Sequence, residues 1–196
     1  MLIGIFGSFG SGKTLLLTYI ALKYAEMENY DVYANYHIKH EKVKVIEPED
    51  FIEINPKDGD KRVFIALDEI YAWLDSRFSL SKVNRLLSWV ILQSRKRNMD
   101  IGYTAQMSGT VDLRMRGMTD LVVVAENIND GFKYTFIWEK GLKTYKRVLM
   151  LNYENAEKIW NLYDTREIVQ PINLEELLET LKPKAKSRKK RGRNND

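Results

Sequence analysis

Short apolar segments alternate with segments of helical periodicity along most of the chain. Two mainly apolar runs, LIGIF at residues 2–6 and RVFIALDEI at residues 62–70, are typical of strands buried on both faces of a sheet. Three further runs predict strands at residues 31–38 (DVYANYHI), 99–106 (MDIGYTAQ) and 120–128 (DLVVVAENI). Because predicted helices separate most of these strands, the pattern predicts a mostly parallel central sheet.

Apolar residues spaced three or four positions apart predict the helices. The segment LLLTYIALKYAEM, residues 15–27, is typical of a helix packed against a sheet. The segments NAEKIWNLY and NLEELLETL, residues 155–163 and 173–181, predict two closing helices, and the polar connection at residues 40–61 has room for one short helix. An amphipathic helix is predicted from residue 79 to about residue 96 by the spacing of Leu80, Val83, Leu86, Leu87, Val90 and Ile91.

An antiparallel hairpin is predicted where KYTFIWEK and KTYKRVLML, residues 133–140 and 143–151, flank Gly141. It would add two antiparallel strands to the edge of the parallel sheet. We therefore predict one α/β domain at residues 1–181, in which helices flank a mostly parallel central sheet with an added antiparallel β-hairpin at its edge.

The composition narrows the class of protein. Hydrophobic residues make up 44% of the 196 residues, which is enough for a core. The absence of cysteine excludes disulfides and thiolate metal sites, and His37 and His40 are expected to be surface residues after a strand rather than zinc ligands. No apolar run is long enough to span a bilayer and no secretory signal is present, so we expect an intracellular protein without direct membrane insertion.

Charge is distributed unevenly along the chain, which has a formal net charge of +4. Residues 182–193, KPKAKSRKKRGR, hold eight Lys and Arg residues and no acid. Residues 182–196 are therefore predicted to form a flexible basic tail with affinity for nucleic acid or another polyanion. A tail that only improves solubility is the alternative.

The segment GSFGSGKT, residues 7–14, lies between the first predicted strand and the first predicted helix and fits the pattern G-x-x-x-x-G-K-[ST]. Its glycines let backbone N–H groups wrap around a polyphosphate at a helix N-terminus. Lys13 would reach the β- and γ-phosphates, and Thr14 would bind Mg²⁺. A chance glycine-rich turn is the alternative, which the flanking strand and helix disfavour. The predicted nucleotide-binding residues are Gly7, Ser8, Phe9, Gly10, Ser11, Gly12, Lys13 and Thr14.

Asp68 and Glu69 follow four apolar residues at the end of a predicted buried strand, as in the second motif of a nucleotide site. Asp68 would hold Mg²⁺ through water, and Glu69 would polarise the water that attacks the γ-phosphate. P-loop proteins of the ASCE type, which have an extra strand between the two motifs and a catalytic Glu here, are ATPases, and the guanine-reading NKxD motif is absent. ATP is therefore the expected nucleotide. Two acids that merely cap a buried strand are the alternative.

Gln106 ends the strand that is expected to lie beside the Asp68 strand, where a polar side chain can sense the γ-phosphate. An ordinary loop glutamine is the alternative. Arg95 lies eleven residues earlier and would emerge on the flank of the subunit, where it could neutralise the γ-phosphate of a neighbouring subunit in trans. Arg97 is a second candidate for this role, and Arg114 with Arg116 forms a third pair. A basic helix end favoured by the helix dipole is the alternative for Arg95.

Taken together, the P-loop, the strand ending LDE, the arginine-bearing approach and the strand ending TAQ resemble the HerA–FtsK superfamily of ring-forming ATPases that translocate DNA. The second strand YANYHI and the segment YDTRE at residues 163–167 resemble its viral genome-packaging branch, including the packaging ATPases of Sulfolobus turreted icosahedral viruses. The resemblance covers residues 1–170. It implies a P-loop NTPase fold of the ASCE type.

The resemblance also implies a role for each site residue. Lys13 and Thr14 would belong to Walker A, and Asp68 and Glu69 to Walker B, while Gln106 would be the sensor and Arg95 the arginine finger. Asn98 and Met99 stand where relatives often have a glycine, so the register between Arg95 and Arg97 stays open.

Three functional hypotheses follow. The first is an ATPase that uses ATP and Mg²⁺ to package viral double-stranded DNA into a preformed capsid, without reading its sequence. The resemblance implies a homo-oligomeric ring, a hexamer or pentamer, with capsid or portal-region partners, in the host cytoplasm or associated with the virion. The second is a membrane-linked assembly ATPase of the zonular-occludens-toxin type, a family that usually carries a transmembrane segment not found in this sequence. The third is a non-motor nucleotide switch.

Overall fold

The computed structural model describes residues 1–54, 56, 61–73, 88–106, 109, 111 and 113–169. For Glu49, Arg95, Leu113 and Arg114 it describes the backbone alone. Three predicted features lie outside the described residues: positions 79–87 of the amphipathic helix, the helix at 173–181 and the basic tail at 182–196. Their predictions stay untested.

One mixed sheet organises the described part of the chain. Its order is β3-β2-β4-β5-β1-β6-β7-β8. Strands β1 to β6 run parallel to one another, and β7 pairs antiparallel with both β6 and β8. The prediction of a mostly parallel sheet with an antiparallel hairpin at its edge is therefore confirmed. The strands are β1 (Leu2–Phe6), β2 (Tyr30–Ala34), β3 (Val43–Val45), β4 (Arg62–Leu67), β5 (Met99–Ala105), β6 (Leu121–Ile128), β7 (Gly131–Lys140) and β8 (Lys143–Asn152).

The strand order decides which sequence motifs meet. β5 lies between β1, which leads into the P-loop, and β4, which ends at the acidic pair. This is the extra strand that the sequence predicted between the two motifs. Because β1, β4 and β5 are parallel, their carboxyl ends share one edge of the sheet. The fold therefore brings the P-loop, the acidic pair and Gln106 to the same edge.

Helices cover both faces of the sheet. They are α1 (Lys13–Ala25), α2 (Pro48–Glu53), α3 (residues 88–92), α4 (Leu113–Gly117) and α5 (Tyr153–Trp160), with short 3-10 helices at Ile70–Ala72 and Ser94–Arg97. One core cluster joins α1 to side chains such as Ile5, Phe64 and Val123. The opposite cluster packs Phe51, Trp73 and Val90 against Ile65, Leu67 and Ile101, among others. In the part of the chain with described structure, no helix has the length and apolar character needed to cross a membrane.

Several element boundaries differ from the sequence prediction. The strand predicted to reach residue 70 ends at Leu67, because Glu69 takes a φ of 46° that an extended strand cannot continue. The second strand ends at Ala34, and Ile38 makes only an isolated bridge to Tyr163. The predicted amphipathic helix ends at residue 92 and is followed by the 3-10 turn Ser94–Arg97. The three-residue strand β3 was not predicted.

Candidate nucleotide-binding site

The P-loop joins the end of β1 to the start of α1, and the structure explains why glycine is required at two of its positions. Gly12 is the N-cap residue of α1 and has a φ of 81°, in the left-handed region that favours glycine. A Cβ atom there would lie 2.6 Å from the Phe132 ring and 2.7 Å from the Tyr134 hydroxyl. At Gly7 a Cβ atom would lie 2.3 Å from the carbonyl oxygen of Ala125. Neither position has room for a side chain.

Side chains from the antiparallel part of the sheet hold the P-loop in place. The Tyr134 hydroxyl donates a hydrogen bond to the carbonyl oxygen of Gly12 at 3.0 Å, and the Asn127 amide donates one to the carbonyl oxygen of Gly10 at 3.1 Å. Asn127 also accepts a hydrogen bond from the Tyr153 hydroxyl at 3.0 Å. Sequence reasoning missed Tyr134 and Asn127, because they lie 122 and 117 residues from their partners and belong to no motif.

Lys13 is buried at the first turn of α1, where its ammonium donates a hydrogen bond to the carbonyl oxygen of Ser8 at 2.9 Å. Burial lowers the pKa of Lys13, and the charges of Asp68 and Glu69 oppose this shift. The side chain thus lies over the P-loop with acidic groups nearby. A phosphate on the loop would give this ammonium a further anionic partner.

Asp68 follows β4 and meets the start of α1. Thr14 Oγ1 lies 3.0 Å from each carboxylate oxygen of Asp68, and Thr104 Oγ1 donates to Asp68 Oδ1 at 2.5 Å. Burial raises the pKa of Asp68, while the hydrogen bonds from Thr104 and Thr14 oppose the increase. The fold thus joins the two residues that the sequence predicted for a metal site, although 54 positions separate them.

The donor set at this position fits a magnesium ion accompanied by a nucleotide. A hydroxyl and a carboxylate supply the oxygen ligands that Mg²⁺ prefers, and the ion commonly takes its remaining ligands from water and substrate phosphates. Within the described ranges, no group of three His, Asp or Glu side chains is arranged to hold a metal without such help. The adjoining cavity of about 530 Å³ has the size of a small-molecule site.

Glu69 and Gln106 are linked through a residue that the sequence did not single out. The backbone N–H of Glu69 donates to Thr104 Oγ1 at 2.8 Å, which fixes the left-handed turn after β4. Burial raises the pKa of Tyr71, and a hydrogen bond with the Glu69 carboxylate raises it further. The Gln106 amide lies 3.5 Å from the same Tyr71 hydroxyl. The predicted general base, Glu69, and the predicted sensor, Gln106, therefore both contact the hydroxyl group of Tyr71.

Among the candidate arginine fingers, Arg97 has its guanidinium held by contacts within its own chain. The Arg97 guanidinium donates to the carbonyl oxygens of Ile52 and Ile54 at 3.3 and 3.1 Å, and it lies 4.9 Å from the centre of the Trp89 ring. Arg97 thereby ties the end of α2 to the region around α3. The side chains of Arg95 and Arg114 lie outside the described part of the structure.

Arg116 of the third candidate pair lines a separate cavity of about 260 Å³ beside Gln106. Its Nε atom is buried and has no hydrogen-bond partner in the described part of the chain. This cavity opens on the sheet face opposite α1, whereas the P-loop cavity lies at the start of α1. The structure therefore does not bring Arg116 together with Lys13, Thr14 and Asp68.

Sequence comparison relates the chain to proteins of two Spiroplasma viruses. No protein-family model matches it. The uncharacterized ORF2 proteins of Spiroplasma viruses SpV1-C74 and SpV1-R8A2 B are each 31% identical over 126 residues. Each match covers 61% of this chain but only 36% of the viral protein, so the chain spans about a third of the length of these relatives.

Solved structures with the same fold include two proteins of the kinds named above. The N-terminal domain of zonular occludens toxin from Neisseria meningitidis has a TM-score of 0.58 at 17% identity, over 83% of this chain and 98% of that domain. The genome packaging NTPase B204 of Sulfolobus turreted icosahedral virus 2, solved with ATP-gammaS, has a TM-score of 0.59 at 11% identity, over 76% and 98%. The resemblance drawn from the sequence is thereby confirmed for the fold, which is that of a P-loop NTPase.

Proposed function

We propose that this chain is a viral P-loop ATPase that hydrolyses ATP to move double-stranded DNA into a preformed capsid, acting as a homo-oligomeric ring. The observation that carries the proposal is the contact between Thr14 and Asp68, at 3.0 Å, beside Lys13 and Glu69. This is the arrangement that ATP hydrolysis requires of a P-loop protein. The shared fold with a viral genome packaging NTPase supports the biological setting.

In the proposed reaction, the chain binds and orients the nucleotide through residues 7–14. Backbone N–H groups of the P-loop would hold the phosphate oxygens, and the Lys13 ammonium would neutralise charge on the β- and γ-phosphates. Bound Mg²⁺ supplies further neutralisation of phosphate charge. Thr14 would bind the ion directly and Asp68 would bind it through water, consistent with the proximity of these two side chains.

Glu69 is the proposed group that accepts a proton from the attacking water. Its backbone is held by Thr104, and its carboxylate is held by Tyr71, which the Gln106 amide also approaches. A change in the Gln106 contact when a γ-phosphate is present would therefore reach Glu69 through one hydroxyl. This connection offers a physical route by which the sensor could control the base.

Arg95 is the proposed arginine finger, acting on the nucleotide of a neighbouring subunit. The alternative, Arg97, has its guanidinium engaged with two carbonyl oxygens and the Trp89 ring, and an intermolecular role would require it to leave these contacts. Arg95 is adjacent to Lys96 in the same 3-10 turn, at the flank of the sheet before β5. The engagement of Arg97 favours Arg95 for an intermolecular role.

Residues 1–181 would form the ATPase domain, and the basic residues 182–196 would contact DNA or capsid and portal-region proteins through charge. A ring of five or six subunits would grip the DNA backbone without reading bases. The proposed place of action is the host cytoplasm, with association with the virion.

A membrane-linked assembly ATPase of the zonular-occludens-toxin type is the second candidate. Two observations favour it: the likeness to that toxin covers nearly all of an N-terminal domain, and the Spiroplasma virus proteins extend well beyond the matched region. Both are consistent with an ATPase domain inside a longer protein. Stimulation by single-stranded DNA but not by double-stranded DNA would favour this candidate over packaging into a capsid.

The decisive experiment measures ATP hydrolysis with no DNA, with double-stranded DNA and with single-stranded DNA. The wild type is compared with Glu69→Gln, Arg95→Ala and the matched control Lys96→Ala, which removes an exposed neighbouring charge. We expect double-stranded DNA to stimulate the wild type and the control, and both active-site variants to lose turnover by about 100-fold or more. Mixing the two inactive variants should restore part of the activity, because Glu69→Gln subunits still carry Arg95.

Two results would contradict parts of the proposal. Turnover that ignores DNA and survives Arg95→Ala would indicate a nucleotide switch instead of a motor. Full activity of Glu69→Gln would show that Glu69 is not the general base and would contradict the proposed mechanism of hydrolysis.

A further inference from the structure

The P-loop cavity continues well beyond the residues that can contact phosphate. Its volume is about 530 Å³, and Lys13, Thr14 and Asp68 account for only part of its lining. The rest includes Phe132 of β7, Trp160 of α5 and residues 163–168, which follow α5 and which we call the strap. Because the phosphates of a nucleotide would lie on the P-loop, the remaining space is available to its base and ribose.

The strap is fixed to the chain that follows β2. Ile38 forms an antiparallel bridge with Tyr163, and the Lys39 N–H donates to the carbonyl oxygen of Leu162 at 2.7 Å. The Glu167 carboxylate accepts a hydrogen bond from the His37 N–H at 2.9 Å and lies 2.7 Å from His37 Nδ1. Attachment at both ends gives the strap a defined position against the cavity, which a preformed binding wall requires.

Exposed apolar side chains from two separate segments line this cavity. Phe9 of the P-loop is 77% exposed and Ile168 of the strap is 75% exposed, although both belong to residue types that are usually buried. A flat aromatic ligand that contacts both side chains would remove apolar surface from water. Trp160 adds a half-buried ring, which is braced by Phe132 in an edge-to-face contact at 5.7 Å.

Arg166 supplies a polar group at the same wall. Its backbone N–H donates to Asp164 Oδ1 at 2.9 Å, which sets the local turn of the strap. The guanidinium itself forms no hydrogen bond or ion pair with another described residue, and Arg166 is exposed in the cavity lining. A planar cation of this kind can stack on a base or bind ribose and phosphate oxygens.

We infer that the strap forms the nucleoside half of the site, where Ile168 and Phe9 contact the purine base and Arg166 contacts the base or ribose. This inference rests on the proposed function, because it assumes that the P-loop holds the phosphates of ATP. It adds base recognition by a segment that no nucleotide-binding motif includes. It also gives the chain a means of preferring a purine nucleotide over a pyrimidine nucleotide without a dedicated base-reading motif.

The test separates the two halves of the site by comparing ATP with inorganic triphosphate, which lacks base and ribose. Equilibrium binding of each magnesium complex is measured by calorimetry in the Glu69→Gln background, so that ATP is not hydrolysed. Three variants are compared in that background. The strap double variant carries both Arg166→Ala and Ile168→Ala, and the second variant carries Lys13→Ala alone. The third, Leu142→Ala, is a control for loss of an exposed apolar residue at the hairpin turn.

We expect the strap double variant to bind ATP about tenfold or more weakly, since two ligand contacts are lost, and to bind triphosphate within about twofold of its parent. Lys13→Ala should weaken both ligands, and Leu142→Ala neither. Unchanged thermal unfolding of the double variant verifies that it folds. As a second measurement, the preference for ATP over CTP should fall in the strap double variant.

Each other outcome contradicts a specific statement. If the strap double variant binds ATP as well as its parent does, or loses ATP and triphosphate equally, the strap does not bind the nucleoside. If the parent protein binds neither ligand, the P-loop does not hold phosphate, and the proposed function fails along with the inference.

Discussion

Asn35 and Asp68 exchange two hydrogen bonds across the carboxyl ends of β2 and β4. The Asp68 N–H donates to Asn35 Oδ1 at 2.7 Å, and the Asn35 amide donates to the carbonyl oxygen of Asp68 at 3.0 Å. A side-chain amide thus takes the place of a strand partner where β4 has ended. These two hydrogen bonds hold the backbone of Asp68 in the position from which its carboxylate contacts Thr14 and Thr104.

Replacing Asn35 by Ala should slow ATP hydrolysis much more than it weakens ATP binding. The change frees the backbone of Asp68 and leaves a partly buried N–H without its partner, so the metal-site geometry loosens. We expect kcat to fall by about 10- to 100-fold with a KM for ATP within about threefold. Steady-state kinetics measure both. Asn129→Ala, in the exposed turn between β6 and β7, is the control, and an equal loss in the two variants would reject a positioning role for Asn35.

Tyr134→Phe should weaken nucleotide binding while leaving the protein folded. The substitution removes one hydrogen bond to the carbonyl oxygen of Gly12 and keeps the buried ring. A typical bond of this kind contributes about 1 kcal/mol, which corresponds to roughly fivefold in the ATP dissociation constant if the P-loop relaxes. Titration with a fluorescent ATP analogue measures this constant. Tyr145→Phe, on the outer strand β8, should have no effect, and a Tyr134→Phe protein with wild-type affinity would show that the P-loop does not need this support.

Asp68→Asn should stabilise the nucleotide-free protein at neutral pH. Burial raises the pKa of Asp68 in the folded protein, so the folded state binds its proton more tightly than the unfolded state does. The stability gained from the protonated carboxyl is complete below the ordinary carboxyl range and is lost as pH rises through the raised pKa. The neutral amide avoids this loss.

Thermal unfolding at several pH values tests this expectation. The Asn variant should unfold at a higher temperature than the wild type near pH 7, and the difference should vanish in acid. Mg²⁺ with ATP should reverse the order, because only the wild type gains full stabilisation from the ligand. Glu139→Gln, on the exposed hairpin, controls for the loss of one negative charge. A difference that stays constant with pH would contradict the assignment to Asp68.

Asp100→Asn should destabilise the fold at the amino end of β5, which lies at the end of the sheet opposite the nucleotide site. The Asp100 carboxylate is 2% exposed and accepts hydrogen bonds from the Tyr30 hydroxyl at 2.7 Å, from Arg62 at 2.9 Å and from the amine of Met1. Because Arg62 and the amine are about half exposed, water screens part of the loss, and we expect roughly 1–3 kcal/mol less free energy of unfolding.

Urea unfolding measures this loss against Asp31→Asn as the control. Asp31 faces Lys61 at 3.9 Å in an exposed pair, whose removal should cost well under 1 kcal/mol. Equal losses for the two variants would mean that the Asp100 cluster adds no more stability than an ordinary surface pair.

Local patterns in the sequence were sufficient for most of the fold. Apolar runs and the hairpin around Gly141 predicted seven of the eight strands of the sheet, all except β3, because burial on a strand face depends on residues two positions apart. The P-loop and the pair Asp68 and Glu69 could be found for a similar reason, since phosphate and magnesium binding impose residue types at fixed spacing. Boundaries failed where a single backbone angle decides them, as at Glu69.

Only the tertiary structure decided which distant residues support that site. Asn35, Thr104 and the strap lie in segments that carry the family resemblance, and Tyr71 and Tyr134 lie in none, but the sequence assigned no role to any of them. Each acts through a contact formed when separate strands reach the same end of the sheet. The same holds for Arg97, whose contacts with α2 and Trp89 separate it from Arg95 although the sequence left the two equivalent. The sequence by itself determined which residues form the P-loop and the acidic pair, since both motifs are encoded by neighbours along the chain. Packing in three dimensions decided how the P-loop and the acidic pair are braced and where the proposed nucleoside contacts lie.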